Sequence, residues 1–357
     1  MSVNDRIVME NAKSSLCCEY GRYQVKIPWK DDKTELPDNY DMALKRLDST
    51  EKRLKKDSLI SEAYCSNIQN YVDKGYIHKV DGAGQSHWYL PHFPVIRPDK
   101  ATTKTRIVLD ASATYQGIPL NQMINQGPKL QQELTDVLLR FRKNPVAVVY
   151  DIAEMYLRVE IAPTDRSYFR FLWRDMDTNR VPDVYEFSRV VFGVNCSPFL
   201  AQLVIQEHAK KHTDEFPMAA ETVLKSTYMD DSMDSVLSEQ DGVKLHEQLS
   251  ELLKRADMYT RKWLSNSENV LNKIPMDDRA TEIEIEGTDL HGAKTLGILW
   301  LAREDVFTFQ FKPFSDSFTY TKRNVLKKIA SLFDPLGFYH LTLFVPRSCC
   351  SPCGLVA

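Results

Sequence analysis

Two adjacent aspartates, Asp230 and Asp231, stand in a Tyr-Met-Asp-Asp tetrapeptide at positions 228–231. The residues on either side, 225–228 and 232–237, favour β-structure, so the spacing predicts a hairpin that carries both carboxylates at its turn. Neighbouring carboxylates repel each other unless a cation lies between them, and such oxygen ligands suit Mg²⁺ shared with substrate phosphates. The motif therefore predicts a divalent-metal site. An ordinary solvated turn is the alternative, because Asp is a favoured turn residue.

A third carboxylate, Asp151, follows the apolar run 146–150. This run predicts a buried strand with one acidic side chain at its carboxyl end. A strand-end Asp together with an Asp pair on a hairpin is the ligand arrangement of two-metal phosphoryl-transfer sites. Asp151, Asp230 and Asp231 are therefore the candidate catalytic and metal-binding residues.

The elements that must position these carboxylates are predicted from apolar spacing. Apolar residues at helical period over 130–141 indicate a helix packed under the Asp151 strand. Ser197 and Pro198 favour the start of a helix that runs to Lys211, and Ser238 favours the start of another after the hairpin. Strand, helix, hairpin and helix in this order predict an α+β fold.

The first part of the chain has a different pattern. A charged helical segment is expected to end near Tyr76, with Gly75 as its carboxyl-terminal cap. The β-prone runs 88–90, 93–97 and 105–109 then predict a small sheet, and a polar hairpin tip is expected between 169–173 and 184–187.

Composition is that of a globular enzyme: 43% of the 357 residues are hydrophobic, and the net charge is −3. A nucleic-acid-binding protein with this charge must segregate its basic residues, and candidate clusters occur at 52–56, 140–143 and 322–328. The seven cysteines show no regular framework, so reduced thiols are expected. No signal peptide and no transmembrane run are recognised, so an intracellular protein is predicted.

The joint order of these segments resembles the reverse transcriptase region of the BEL/Pao class of long-terminal-repeat retrotransposon polyproteins. The resemblance covers roughly residues 21 to 338. Besides Asp151 and the 228–231 motif, the stretches that carry it are 36–44, 71–80, 106–112, 126–128, 262–267 and 333–337. Each stretch is weak alone, and their common order makes chance agreement implausible.

The resemblance implies a right-hand polymerase fold with fingers, palm and partial thumb, in which an antiparallel palm sheet packs on helices. It divides the chain into five parts. These are an N-terminal extension (1–44), fingers (45–118, with 160–195 returning to them), a palm with the catalytic motifs (119–302), a primer-grip exit with partial thumb or connection (303–340), and a tail outside the resemblance (341–357).

The resemblance also implies roles for single residues. Asp151, Asp230 and Asp231 would hold two Mg²⁺ ions, with Mn²⁺ as a substitute, and Lys262 would be a catalytic lysine. The expected nucleotide-binding residues are Arg106, Asp110, Ile152, Tyr156, Phe192 and Gly193. The expected primer grip is Leu296, Gly297 and Ile298.

Three of the nucleotide-binding expectations are specific. Arg106 would grip the triphosphate, with Asp110 supporting it, because the guanidinium fork binds phosphate bidentately. Tyr156 would exclude a ribose 2′-hydroxyl. Retroviral enzymes carry Gln where this chain has Phe192, so the hydrogen bonds of that Gln are not expected here.

The function predicted from this resemblance is RNA-directed DNA polymerase, a nucleotidyltransferase that adds deoxynucleotides to a primer on an RNA or DNA template. A cytoplasmic virus-like particle is the expected location, without membrane contact, and no oligomeric state is predicted. One alternative is an inactive, truncated retrotransposon relic that only binds nucleic acid, since 341–357 departs from the family. A palm-fold nucleotidyl cyclase is another alternative, disfavoured by the finger-like and thumb-like segments.

Overall fold

The computed structural model describes residues 1–30, 36–81, 87–96, 105–281, 283–284, 291–308, 319, 321–330 and 334–336. The helices in these ranges are α1 (Val3–Ser14), α2 (Tyr40–Leu54), α3 (Ser58–Asp73), α4 (Leu120–Met123), α5 (Leu134–Phe141), α6 (Pro163–Arg166), α7 (Ser197–Lys211), α8 (Pro217–Lys225), α9 (Glu239–Lys254), α10 (Glu268–Leu271) and α11 (Lys322–Ala330). Short 3₁₀ turns cover Met155–Arg158, Ser167–Phe169 and Met276–Asp278.

The strands in the same ranges alternate with the helices. They are β1 (Cys17–Glu19), β2 (Arg22–Val25), β3 (Ile77–Lys79), β4 (His92–Ile96), β5 (Thr105–Leu109), β6 (Thr114–Tyr115), β7 (Ile118–Pro119), β8 (Val146–Ile152), β9 (Glu160–Ile161), β10 (Arg170–Trp173), β11 (Asp183–Phe187), β12 (Thr227–Tyr228), β13 (Asp231–Val236), β14 (Thr260–Ser265), β15 (Ile283–Glu284), β16 (His291–Thr295), β17 (Ile298–Leu301) and β18 (Val306–Thr308). The mixed helix and strand content agrees with the predicted α+β class.

The chain forms two compact units, each assembled from separate stretches of sequence. Unit 1 consists of Met1–Leu130, Glu154–Lys211 and Lys254–Met258. Unit 2 consists of Gln131–Ala153, His212–Leu253 and Tyr259–Ala357. The division into fingers, palm and thumb segments stays a prediction.

Unit 2 contains a four-stranded antiparallel sheet in the order β12-β13-β8-β14. Every residue of β8 is buried, as the apolar run 146–150 predicts. Helix α5 packs Val137, Leu138 and Phe141 against Ala147 and Val149 of β8. The predicted helix under the Asp151 strand is therefore confirmed, although it begins at Leu134 rather than at residue 130.

A second sheet of unit 2, β15-β16-β17-β18, contributes to the same core. Ile298, Trp300 and Ala302 are buried there together with the residues of α5 and β8. Strands β16 and β17 are joined by a two-residue turn, Leu296 and Gly297, with φ of +52° and +84°. Positive φ at both positions is the geometry of a tight hairpin whose twist matches its strands.

Unit 1 contains two three-stranded sheets, β1-β2-β9 and β10-β11-β3, and the two-stranded pairs β4-β5 and β6-β7. The expected hairpin between β10 and β11 is present. Helix α3 ends as predicted: Gly75 has φ of +67°, and its N–H donates to Val72 O at 2.9 Å. Glycine is favoured at this left-handed position after a helix.

The expected strand at 88–90 is wrong. Among the residues that the structure describes, Tyr89 forms a single bridge, to Arg170, while β4 and β5 pair over their whole length. The side-chain amide of Asn39 donates to Tyr89 O and accepts from Tyr89 N–H, both at 2.8 Å. A buried side chain therefore makes the hydrogen bonds that a neighbouring strand would otherwise make.

Helix α11 covers the first part of the predicted thumb helix, and the remainder, 331–333, lies outside the described residues, as does the tail 341–357. Among the helices in the described ranges, none has the length and apolar character needed to cross a membrane.

Candidate active site

The predicted Asp-Asp hairpin is present in unit 2. Tyr228 of β12 pairs with Asp231 of β13, so Met229 and Asp230 form the turn. Met229 takes a left-handed conformation with φ of +60°, which allows the chain to reverse within two residues. The N–H of Ile152 donates to Asp230 O at 2.8 Å, which ties the turn to the end of β8.

Asp151 and Asp231 are direct register partners on β8 and β13. One pair further into the ladder, Val149 opposes Met233, and both side chains lie in the core cluster over α5. Since side chains alternate along a strand, Asp151 and Asp231 follow on the same face as these two core residues. The sheet thus presents two carboxylates side by side where its apolar face ends, with Asp230 in the adjoining turn.

Asp151 is 8% exposed, and each of its oxygens is paired with a different cation. Arg261 Nε donates to Oδ1 and Lys262 Nζ donates to Oδ2, both at 2.9 Å. Lys262, which was predicted to be catalytic, is therefore placed at the carboxylate edge. Arg261 was not singled out from the sequence, because only the pairing of β14 with β8 brings it opposite Asp151.

In unit 1 the structure brings together Arg106, Phe192 and Tyr156, three of the expected nucleotide-binding residues. The Tyr156 and Phe192 rings have centroids 4.6 Å apart, and the Arg106 guanidinium lies 5.8 Å from the Phe192 centroid. Phe192 is 36% exposed, whereas Tyr156 is 8% exposed. The aromatic ring at position 192 thus contacts both the predicted phosphate-binding arginine and the predicted sugar-excluding tyrosine.

Gly193 is fixed by a close backbone approach. Its φ is +105°, and an added Cβ would lie 1.7 Å from Leu109 O. The N–H of Leu109 donates to Phe192 O at 3.3 Å, so the segment at 192–193 is tied to the end of β5, the strand that carries Arg106. A residue with a side chain at position 193 would displace this contact.

Asp110, expected to support Arg106, is paired with another arginine in this structure. The carboxylate of Asp110 accepts a hydrogen bond from Arg46 of α2 at 2.9 Å. The side chain of Arg46 is 51% exposed, so the pair lies near the surface. Arg46 is a residue that sequence reasoning missed, because its position on α2 carries no motif.

The other predicted positions lie in unit 2. Ile152 is fully buried at the end of β8. Leu296 and Gly297 form the β16-β17 turn, while Ile298 is 4% exposed and belongs to the core. The candidate residues thus form two sets: carboxylates, Lys262 and the 296–298 turn in unit 2, and the arginine with its aromatic neighbours in unit 1.

The carboxylates have the donor chemistry of a divalent-metal site, since Mg²⁺ binds carboxylate oxygens through one or two protein ligands. Within the described ranges, no group of three or more His, Cys, Asp or Glu side chains is arranged around a common point as metal ligands would be. The oxygens of Asp151 are instead directed to Arg261 and Lys262. The residue types therefore fit a divalent metal ion. In this structure, however, the oxygens of Asp151 are paired with the side-chain cations of Arg261 and Lys262.

Comparison with known proteins agrees with this chemistry. Residues 96–262 match the family model described as reverse transcriptase (RNA-dependent DNA polymerase). Over 170 residues, or 48% of this chain, the sequence is 24% identical to the Pol-related polyprotein of the mouse intracisternal A-particle MIA14. The match spans 18% of that polyprotein, so the chain covers about a fifth of the length of this relative.

The matched region includes all three carboxylates, Lys262 and Arg106. The turn at 296–298 lies beyond it. Reverse transcriptase domains use divalent metal ions, nucleotide substrates and a nucleic-acid template with primer. Residues 96–262 of this chain, a little under half of its length, are therefore similar to reverse transcriptase domains.

Proposed function

We propose that this chain is the reverse transcriptase part of a retroelement polyprotein of the BEL/Pao class. It adds deoxynucleotides to a primer 3′ end on an RNA or DNA template, by two-metal phosphoryl transfer. The observation that carries the proposal is the register of β8 and β13, which places Asp151 opposite Asp231 beside the Asp230 turn. The 24% identity to a Pol-related polyprotein supports the retroelement origin.

Phosphoryl transfer requires a protein mainly to position its substrates and to stabilise charge along an in-line attack. Two Mg²⁺ ions held by Asp151, Asp230 and Asp231, with Mn²⁺ as a substitute, would activate the primer 3′-hydroxyl and neutralise the triphosphate and leaving pyrophosphate. The Ile152 N–H holds the Asp230 turn against β8, which fixes the spacing of the carboxylates. Lys262, whose ammonium lies at Asp151 Oδ2, would donate a proton to the leaving pyrophosphate.

The nucleotide would be selected by the residues of unit 1. The Arg106 fork binds the triphosphate, and the Phe192 ring under its guanidinium keeps the fork in place. Tyr156 blocks a ribose 2′-hydroxyl, with its ring held by Phe192. Gly193 lets the 192–193 segment approach the backbone of Leu109 closely. The Asp110–Arg46 pair acts more remotely, by holding the end of β5 to α2.

In this proposal the sheet β12-β13-β8-β14 belongs to the palm, residues 45–118 and 160–195 to the fingers, and α11 to the thumb. The turn formed by Leu296 and Gly297 serves as the primer grip, because it is a tight two-residue turn whose following residue, Ile298, is buried in the core cluster. A cytoplasmic particle is the proposed location.

A primer-extension assay with the purified chain tests the activity. The expected result is Mg²⁺-dependent extension of a DNA primer on both RNA and DNA templates, by incorporation of deoxynucleotides. A chain that binds the primed duplex but extends neither template, with Mg²⁺ or Mn²⁺, would instead be the nucleic-acid-binding relic.

A further inference from the structure

Strand β14 carries an irregularity at the point where it passes Asp151. Thr260 pairs with Ile152 and Arg261 with Asp151, but the next partners are Leu264 and Val149. From Arg261 to Leu264 the strand therefore advances three residues while β8 advances two, which is the pattern of a β-bulge. Lys262 lies within this bulge and has φ of +55°, a backbone conformation that non-glycine residues rarely adopt.

The bulge has a consequence for charge. In a regular strand the side chains of Arg261 and Lys262 would point to opposite faces of the sheet. In this structure both reach one carboxylate, with Arg261 on Oδ1 and Lys262 on Oδ2 of Asp151. The bulge thus delivers two positive charges to an aspartate that a regular ladder would leave with one.

Without a bound metal ion, the negative charge of Asp151 must be balanced by other cations. Its register partner across β13 is Asp231, and like charges directly opposite each other in a sheet are destabilising. The Asp151 side chain is only 11% exposed, so water screens this repulsion weakly. The side chains of Arg261 and Lys262 are 36% and 41% exposed, so they can turn outward into solvent when another cation arrives.

We propose that Arg261, placed opposite Asp151 by the register of β14 with β8, is a positioning residue that occupies Asp151 as a cationic stand-in until a divalent ion displaces it. The inference rests on the proposed metal role of Asp151. Arg261 would then stabilise the metal-free protein and weaken its affinity for metal, because the ion must first break the Arg261–Asp151 pair. Lys262 also pairs with Asp151, but it has the catalytic role proposed above. A substitution of Arg261 therefore tests the effect on metal affinity without removing the proposed catalytic lysine.

The test is a titration of the purified chain with Mn²⁺ alone, in which free Mn²⁺ is measured by electron paramagnetic resonance. Arg261→Gln is expected to bind Mn²⁺ about three- to fivefold more tightly than the wild type, an affinity change of the size that a partly exposed ion pair can supply. Arg261→Lys keeps the charge and should stay within about twofold of the wild type. The matched control is Arg142→Gln, since Arg142 is 39% exposed and pairs with a different carboxylate, Asp305.

Thermal unfolding of the same variants gives a second readout. Without divalent ions, Arg261→Gln should unfold at a lower temperature than the wild type. Saturating Mn²⁺ should narrow that difference, because the bound ion replaces the lost charge. Any decrease in the unfolding temperature of Arg142→Gln relative to the wild type should be the same with and without Mn²⁺. Asp151→Asn should bind Mn²⁺ at least about tenfold more weakly than the wild type, as expected when a metal loses a carboxylate ligand.

The stand-in role is overturned if Arg261→Gln binds Mn²⁺ with unchanged or lower affinity than the wild type. It is also overturned if the difference in unfolding temperature between Arg261→Gln and the wild type is the same with and without Mn²⁺. If Asp151→Asn still loses metal affinity and the wild type extends primers, the proposed function survives that failure. If wild-type binding of Mn²⁺ does not depend on Asp151 at all, the stand-in role and the metal assignment both fail.

Discussion

The ring of Tyr156 lies 4.6 Å from the ring of Phe192, at an interplanar angle of 39°. Phe192 also contacts the Arg106 guanidinium, at 5.8 Å from the ring centroid. A single partly exposed side chain therefore contacts two residues with different proposed tasks: phosphate binding and sugar selection. Changes at Tyr156 should alter sugar selection alone, whereas changes at Phe192 should affect both.

Tyr156→Ala is expected to raise ribonucleotide incorporation relative to deoxynucleotide incorporation by about tenfold, a typical size for discrimination by shape in a pocket. Tyr156→Phe keeps the ring and should retain the wild-type ratio. Single-nucleotide insertion with matched dNTP and rNTP measures the ratio of kcat/KM. If the ratio is the same in Tyr156→Ala and the wild type, Tyr156 is a core residue without a role in sugar selection.

Phe192→Leu is expected to raise KM for the incoming deoxynucleotide about two- to fivefold, because Arg106 loses a cation–π contact of modest strength. The loss concerns binding, so kcat should change little. Phe192→Tyr preserves the aromatic ring and is the control. Steady-state kinetics on one primed template separate the two parameters, and an unchanged KM in Phe192→Leu would show that the stacking does not hold Arg106 for the nucleotide.

Gly193→Ala tests the close approach of residue 193 to Leu109. The added Cβ would lie 1.7 Å from Leu109 O, so the backbone must move, and a loss of about 3 kcal/mol or more in unfolding free energy is expected. Gly117 has a similar positive φ, +84°, with nothing within 4 Å of its added Cβ. Gly117→Ala should therefore cost only about 1 kcal/mol, from φ alone. Urea unfolding measures the unfolding free energy of both variants. Equal losses in Gly193→Ala and Gly117→Ala would mean that the close approach to Leu109 does not contribute to the effect.

Stability in acid should depend on His92. Its Nε2 lies 2.9 Å from Leu172 O, a group that can only accept, so Nε2 carries the proton and Nδ1 accepts from the Tyr64 hydroxyl at 2.5 Å. Burial lowers the pKa of His92 to about 4 from its ordinary value near 6.5, against a smaller opposing effect of the Leu172 hydrogen bond. The folded protein therefore holds this imidazole neutral.

Between pH 6.5 and 4 the unfolded chain binds a proton at this histidine that the folded protein does not, so folding stability falls as pH falls. Between pH 7 and pH 5 the expected contribution of His92 is about 2 kcal/mol. His92→Gln should lose this part of the pH dependence, although it is expected to be less stable at pH 7. Urea unfolding at both pH values tests this. If the unfolding free energy of His92→Gln falls between pH 7 and pH 5 by as much as that of the wild type, groups other than His92 cause the acid sensitivity.

Features set by local sequence could be predicted. The Asp-Asp hairpin, the fully buried β8 and the Gly75 cap each depend on residues within a few positions of one another. Features set by pairing between distant segments could not. Arg261 lies opposite Asp151 only because β14 pairs with β8, and the backbone N–H and C=O of Tyr89 are hydrogen-bonded by Asn39, fifty positions earlier in the chain. Asp110 likewise pairs with Arg46 of α2 rather than with its neighbour Arg106.

The proposed polymerase activity depends on the carboxylates of unit 2, and single-turnover extension of a primed template tests them most directly. Asp151→Asn and Asp230→Asn are each expected to lower the rate by about a thousandfold or more in Mg²⁺, as when a member of a catalytic set is removed, with duplex affinity unchanged. Asp231→Asn should also be severe. The control is Asp234→Asn on the same strand, where the carboxylate accepts from the Thr222 hydroxyl at 2.6 Å; it should extend primers at a rate near that of the wild type. Extension by Asp151→Asn or Asp230→Asn at the rate of the Asp234→Asn control would contradict the assignment.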